Sequence, residues 1–155
     1  MKARRKARSL ALQALYEIDC TSHLPEDVLD QRLEAESLAP DSEDFVRNLV
    51  RGVLDARPAL DQQIHKHAPE WPLSQMAVVD RNLLRMAIWE FAIFRQTPIK
   101  VAINEAVELA KLFGSDSASR FVNGVLGALA AREAELVQNL QNYVQGGRRG
   151  RRASP

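Results

Sequence analysis

The chain has 155 residues, of which 46% are hydrophobic, enough for one domain or two small subdomains with a buried core. No apolar run approaches membrane-spanning length, and the basic N-terminus lacks the apolar segment and cleavage site of a secretion signal, so we expect no membrane association. The single cysteine, Cys20, excludes an intrachain disulfide and fits a reducing, cytoplasmic compartment.

The net charge of +1 conceals an uneven distribution. Residues 1–8 carry five basic side chains and no acid, and residues 148–155 carry four arginines. The chain between them has 12 basic residues against 20 acidic ones. The cationic ends therefore suit a polyanion, and the acidic body suits a basic protein.

The first predicted helix runs from about Ala3 to Cys20, and its first turns are cationic. The positive end of a helix dipole disfavours each cation there by roughly 0.3–1 kcal/mol. We therefore favour phosphate binding over a solvated charged face as the interpretation of these turns. Tyr16 and Gln13 lie on the same side and suit stacking and hydrogen bonding to bases.

A second helix is predicted from Pro25 to about Ser37, and a third has apolar residues from Phe45 to Leu54 on one face. Pro58 then either ends the third helix or begins a fourth.

The segment 67–74 contains two prolines and is predicted to link two subdomains. After it, the stretch from Ser74 to about Arg95 predicts a helix that is apolar nearly all round. Such a helix belongs in the middle of a core.

Two amphipathic helices follow, joined around Gly114. Gly114 is expected to adopt the left-handed backbone that ends the first helix, and Asp116 or Ser117 to cap the second. In the second helix Phe121 projects away from the apolar face, beside small residues. Its ring either packs against a neighbouring helix or offers a stacking surface to a base.

The C-terminal residues 146–155 combine glycine and arginine without apolar partners, which predicts a disordered basic tail. Neither strand-like alternation nor a repeat of 20–50 residues is present in the sequence. The predicted fold is therefore all-α, with two small helical bundles packed together and about seven helices.

The sequence shows no glycine-rich phosphate loop, nucleotide fingerprint or catalytic motif, so we expect neither an enzyme nor a cofactor. Cys20 and His23 supply at most half of a zinc site, and no second pair has matching spacing. Glu105 and Glu108 lie on a polar helix face beside Lys111, where solvated pairing is the expected role.

Three stretches carry a family resemblance. VAINEAVELAKLFG, followed closely by SRFVNGVL, covers residues 101–126; DRNLLRMAIWE covers 80–90; and ARRKARSLALQALY covers 3–16. Together they resemble the NusB family of transcription antitermination factors. The resemblance implies an all-helical NusB-like domain over 1–145, with subdomains of about 1–68 and 73–145.

The resemblance also implies a function. NusB-like proteins bind a short single-stranded RNA element, boxA, in ribosomal RNA transcription, together with the small ribosomal protein NusE, and join RNA polymerase with other Nus factors. Carried onto this sequence, the RNA face comprises cations and aromatic residues of the first helix and of the SRFVNGVL motif: Lys2, Arg4, Arg5, Lys6, Arg8, Tyr16, Arg120 and Phe121.

Two alternatives stay open at this point. A helical RNA-binding domain that resembles NusB is fused to some cytosine RNA methyltransferases, but 155 residues leave no room for their cofactor-binding sheet. The chain would then supply only the RNA-binding part. The other alternative is a homodimeric protein-interaction module without RNA affinity of its own.

Overall fold

The computed structural model describes the backbone of residues 2–153 and the side chains of residues 2–147. Within that part the chain forms helices and no strand, which confirms the all-α prediction. The helices are α1 Lys2–Cys20, α2 Pro25–Glu34, α3 Pro40–His67, α4 Val78–Ile88, α5 Ile99–Phe113, α6 Ala118–Ala130 and α7 Glu133–Ala153. None of them is both long and apolar enough to cross a bilayer.

The number of helices matches the prediction, but their division differs. α3 continues through Pro58, because buried residues on both sides of the proline hold the helix against the core; they include Val53, Ala56, Ala59 and Leu60. The predicted helix after Gly114 is in fact two helices, α6 and α7, with a break at residues 131–132.

The predicted helix from Ser74 to Arg95 is also subdivided. A 3₁₀ turn, Leu73–Gln75, precedes α4, and α4 passes directly into a π-helical turn over Trp89–Phe94. The Arg95 amide closes this turn by donating to the Glu90 carbonyl at 3.0 Å, and Arg95 itself has a left-handed backbone with φ of 66°. Arg95, and not a glycine, thus adopts the left-handed backbone that ends the helical segment formed by α4 and the π-helical turn.

The prediction for Gly114 is wrong, since its backbone is extended, with φ −94° and ψ −179°. Glycine is required there for space. A Cβ atom would lie 2.4 Å from the Ala118 Cβ and 2.9 Å from the Ala110 carbonyl oxygen. The predicted side-chain cap is absent too, because Ser117 makes no capping bond and the Ala118 amide bonds to the Ser115 carbonyl instead.

The core is organised around α4, which contacts α1, α3, α5 and α6. Buried side chains from all seven helices form one cluster, so the two bundles share a single core. Its largest fully buried members include Leu12, Leu29, Leu49, Leu83, Ile88, Leu109 and Leu126. The predicted subdomain boundary coincides with the loop between α3 and the 3₁₀ turn, and the division itself stays a prediction.

The last helix, α7, buries Leu136 and Leu140 against the rest of the core. Further along, the Tyr143 hydroxyl donates to the Asp55 carbonyl on α3 at 3.3 Å. The backbone of α7 is helical to Ala153. The predicted disordered tail over residues 146–155 falls mostly on residues 148–155, which lie outside the described side chains.

Candidate nucleic-acid interface

The cations at the start of α1 are paired with acids from distant parts of the chain. The sequence places no acid among the first eight residues, yet four of the five cations have a carboxylate partner in the fold. These pairs are Arg4–Asp41, Arg5–Glu105, Lys6–Glu36 and Arg8–Glu90. These carboxylates therefore offset, within the protein itself, the unfavourable placement of cations at the positive end of the helix dipole.

Arg8 was predicted to lie on the RNA face, but its side chain is buried. Its side chain is 8% exposed, and its Nε and Nη2 atoms donate to the two carboxylate oxygens of Glu90 at 2.9 and 2.8 Å. Thr97 adds a third bond to the same carboxylate at 2.9 Å. The guanidinium is thus held inside the core, and we correct the predicted face by leaving Arg8 out.

Arg5 has a related bond but a different exposure. Its Nε and Nη2 atoms donate to Glu105 at 3.0 and 3.2 Å, while the Arg5 side chain is 45% exposed and that of Glu105 only 7%. Bonding to Glu105 raises the pKa of Arg5 above its ordinary value. The expectation that Glu105 is solvated is wrong, whereas Glu108 does pair with Lys111 at 3.2 Å on the surface.

The three remaining cations of α1 are accessible. The Arg4 guanidinium lies 4.1 Å from the centre of the Phe45 ring, and its ion pair with Asp41 is long, at 3.8 Å. Lys6 and its partner Glu36 are both well exposed. Such exposed pairs contribute little to stability, about 0–1 kcal/mol, so a phosphate can replace the carboxylate at small cost. Lys2 is exposed as well.

At the other end of α1, Tyr16 borders a cleft of about 290 Å³. The cleft is also lined by Arg32, by Val79 in the first turn of α4 and by Phe113 at the end of α5. Tyr16 is 46% exposed and Phe113 40% exposed. The two rings therefore present an aromatic surface beside a cation, a combination that suits stacking on bases.

A second cleft, of about 470 Å³, contains Phe121 and Arg120. The Phe121 ring packs partly on the core and meets Trp71 edge-to-face, with ring centroids 5.7 Å apart. Trp71 is 53% exposed. Phe121 thus packs on the core and on Trp71 and also lines the cleft, while its stacking on a base stays a prediction.

Asp80, in the first turn of α4, adjoins this second cleft. Burial raises the pKa of its carboxyl group, and its Oδ1 atom has no hydrogen-bond partner among the described residues. The two clefts lie on either side of the same turn of α4, since Val79 lines one and Asp80 the other.

Arg5 and Tyr16 lie along one flank of the molecule, on the side of α1 that faces α5. Arg5 and Tyr16 are about 20° apart around α1 and about 16 Å apart along it, so they share a face of the helix. Arg5 reaches Glu105 on α5, and Tyr16 lies beside Phe113 at the end of α5. The structure therefore brings Arg5 and Tyr16 onto a track along the α1–α5 side, whereas Arg4 lies against Phe45 on α3 and Lys6 pairs with Glu36, just after α2.

The Tyr16 end of α1 is fixed to α4 by Asp19. Arg81 donates two bonds of 2.8 Å to the Asp19 carboxylate, and Asn82 and Arg85 add bonds of 3.0 and 3.3 Å. Burial raises the pKa of Asp19, but the bonds and charges of these neighbours outweigh it, so the pKa lies below its ordinary value. Arg85 also donates from Nε and Nη2 to the two carboxylate oxygens of Asp61, at 2.7 and 3.0 Å.

Three contributors to the flank were not recognised from the sequence: Phe45, Trp71 and Glu105. The signal for Glu105 was present, because it lies about 40° from the buried Leu109 on the wheel of α5. No comparable signal marks Trp71, which sits in a loop and meets Phe121 only after folding. For a metal site, no group of three or more His, Cys, Asp or Glu side chains is suitably placed among the described residues.

Comparison with known proteins gives a consistent result. The family model for the NusB family matches residues 5–131. The chain is 51% identical over 134 residues to the transcription antitermination protein NusB of Roseiflexus sp. (strain RS-1), covering 85% of this chain and 94% of that protein. It is 45% identical over 123 residues to the protein of the same name from Bacillus subtilis (strain 168), covering 79% and 91%.

Solved structures agree in fold. T. maritima NusB superposes with a TM-score of 0.77 at 32% identity, covering 84% of this chain and 92% of that one. A crystal structure of the antitermination factors NusB and NusE in complex with dsRNA matches with a TM-score of 0.76 at 26% identity, covering 83% and 96%.

Proposed function

The chain belongs to the NusB family, and from that premise we propose that it is a non-enzymatic RNA-binding factor in transcription antitermination. Its ligand is a boxA-like single-stranded RNA in ribosomal RNA transcription in the cytoplasm, bound together with the ribosomal protein NusE. Support for RNA and NusE as partners comes from the NusB relatives and from the solved complex of NusB and NusE with dsRNA, and the single-stranded form of the ligand is part of the proposal. Other Nus factors and RNA polymerase are engaged through this complex.

The observation that carries the proposal is the arrangement of charge and aromatic surface along α1. Exposed cations lie at its N-terminal end, and the cleft lined by Tyr16 and Phe113 lies about 16 Å along the helix from Arg5. The cleft of Arg120 and Phe121 follows on the other side of the first turn of α4. Phosphate contacts by the cations supply affinity without reading sequence, and stacking in the clefts orders unpaired bases. The proposed RNA surface is formed by Lys2, Arg4, Arg5, Lys6, Tyr16, Arg120 and Phe121.

NusE is proposed to bind the acidic body. The 12 basic and 20 acidic residues between the two cationic ends give this part a charge opposite to that of a basic ribosomal protein. Complementary charge accelerates association and suppresses wrong partners. The possible homodimer stays a prediction, which light scattering of the purified protein tests.

A salt titration tests the RNA surface. Replacing Lys2, Arg4 and Lys6 with Ala is expected to weaken binding to a boxA-like strand and to a scrambled strand alike. The slope of log affinity against log salt should fall by about 0.7 for each lost phosphate contact. Wild-type affinity and slope in this variant would place the RNA elsewhere.

A matched control removes three exposed cations from other surfaces: Arg51, Lys66 and Arg132. Two of these are paired with acids, Arg51 with Glu26 and Lys66 with Glu135, so the control also reproduces the loss of surface ion pairs. It has the same net charge as the test variant. Equal losses of affinity in the two variants would indicate a response to net charge and not to a defined surface.

A further inference from the structure

Arg5 differs from the other cations of α1 because its orientation is fixed while one edge remains free. Glu105 engages Nε and Nη2, which leaves both N–H groups of Nη1 and one of Nη2 without a partner in the described part of the protein. These free groups point away from the carboxylate, because the guanidinium is planar. Nearly half of the Arg5 side chain is exposed.

Glu105 is itself well anchored. It is buried on α5, next to the core residues Ala106 and Leu109, so it cannot follow a moving guanidinium out into solvent. The side-chain entropy that a free arginine loses on binding is therefore already lost in the unbound protein. Arg5 presents a rigid pair of parallel donors at a fixed place on the track.

The neighbouring cations lack this combination. Arg8 uses the same two nitrogens for Glu90, but its outer edge is buried. Arg4 rests on the Phe45 ring and has only a long contact to Asp41. Lys6 is a point charge without a planar fork.

Two parallel donors of fixed direction fit a ligand with two adjacent acceptors on one rigid edge. Among the purines, guanine has this arrangement in its O6 and N7 atoms, whereas adenine offers one acceptor next to a donor. In an unpaired strand this edge is accessible to a side chain. A phosphate also offers two oxygens to such a fork, but a phosphate contact carries no preference for a base, so the two ligands are distinguished by base substitution.

We propose that Glu105 is a positioning residue that makes Arg5 read the O6/N7 edge of an unpaired guanine. This inference rests on the proposed RNA-binding function and adds to it a base-specific contact within a surface otherwise expected to bind phosphates. Arg5 touches the base, and Glu105 acts through Arg5 by fixing the direction of its free edge.

The test compares a boxA-like single strand with strands in which each guanine in turn is replaced by 7-deazaguanine or adenine. The full-length wild-type protein should lose affinity roughly 5- to 150-fold at one guanine position, the range for one bidentate contact. Glu105→Gln should reduce that loss to about 2-fold or less, while the salt slope stays unchanged because the Arg5 charge remains. Arg5→Lys should behave in the same way.

Arg51 and Glu26 provide a matched control, since they form the same side-on bidentate pair, at 2.8 and 2.7 Å, on the surface between α2 and α3. Glu26→Gln should leave the guanine preference intact. Circular dichroism verifies that each variant is folded, and Arg5→Lys keeps the test decisive if Glu105→Gln does not fold.

Other results would overturn the inference. If the wild-type protein binds the strands with salt dependence but without a guanine preference, Arg5 contacts phosphate and the inference fails while the proposed function stands. If Glu105→Gln and Arg5→Lys both kept the full guanine preference, the inference would also fail and the proposed function would stand. Absence of binding to any of these strands would remove the proposed function and the inference together.

Discussion

Arg8 and Glu90 are 82 positions apart in the chain and form two parallel hydrogen bonds, 2.9 and 2.8 Å long, in the interior of the protein. Removing one partner of such a pair leaves a buried charge without compensation. Arg8→Met should therefore lower the free energy of unfolding by about 3–5 kcal/mol, measured by urea denaturation. Combining it with Glu90→Leu should recover much of this loss.

Lys6→Met is the comparison for Arg8→Met, because Lys6 belongs to an exposed pair and should affect stability by less than about 1 kcal/mol. If Arg8→Met left stability unchanged and reduced the salt slope of RNA binding, Arg8 would have to be returned to the RNA surface.

The cleft lined by Phe121 and Trp71 gives a second prediction. Phe121→Ala and Trp71→Ala should each reduce the affinity for a boxA-like strand by about 1–3 kcal/mol and leave the salt slope nearly unchanged, because a ring stacks without neutralising phosphate. Fluorescence anisotropy at several salt concentrations measures both quantities. Tyr143→Ala, which removes an exposed ring on α7, serves as the control.

Phe121→Ala also distinguishes packing from stacking. A variant that no longer folds would show that the ring acts mainly in the core. Trp71→Ala then remains informative, since Trp71 is more than half exposed and its loss should leave the melting temperature almost unchanged.

Lowering the pH should weaken the hydrogen-bonded contacts between Asp19 of α1 and its partners on α4. The pKa of Asp19 is depressed in the folded protein, so its contribution to stability is complete above the unfolded pKa and is lost as the pH falls through the folded value. In wild-type protein this part of the stability should begin to fall below about pH 4, near the unfolded pKa, and decrease further as the pH is lowered. Melting temperatures between about pH 3 and 7 should show a steeper acid decline for wild type than for Asp19→Asn.

Asp19→Asn should be less stable than wild type at neutral pH, by up to about 3 kcal/mol, because Arg81 and Arg85 lose a charged acceptor. Asp44→Asn replaces an exposed carboxylate and should retain the wild-type pH profile. A profile for Asp19→Asn that is parallel to that of wild type would contradict the assignment.

Two glycines should respond to alanine in opposite directions. A Cβ atom on Gly52 would lie 2.2 Å from the indole nitrogen of Trp89, so Gly52→Ala should destabilise the protein by about 1–3 kcal/mol. Nothing lies within 4 Å of a Cβ on Gly127, in the interior of α6. Gly127→Ala should stabilise by about 0.5–1 kcal/mol in the same urea denaturation experiment.

Periodicity predicted those parts of the fold that depend on local sequence. The 3.6-residue pattern placed α1 almost to the residue and the end of α5 at Gly114, because one face of each helix is continuously apolar. It could not place the break at residues 131–132, since the apolar positions of α6 and α7 stay nearly in phase across it. Nor could it show that α3 continues through Pro58, because packing on both sides offsets one lost hydrogen bond.

The candidate site was predictable in composition but not in partners. The cationic start of α1 is evident in the sequence, yet Arg5 and Arg8, only three residues apart, have very different surroundings. Their acids lie 100 and 82 positions away, so only the tertiary fold decides that one guanidinium faces solvent and the other the core. Local sequence carries no information on contacts of that range.

The 28-residue α3 extends over about 42 Å and contacts helices of both bundles, α1 on one side and α6 and α7 on the other. A cut in the exposed loop at residues 69–72 should therefore not release two independent fragments. The pieces should copurify and melt in one transition, and their slowest-exchanging amides, in α3 and α4, should lose protection together. That outcome would show that the two predicted subdomains unfold as one cooperative unit.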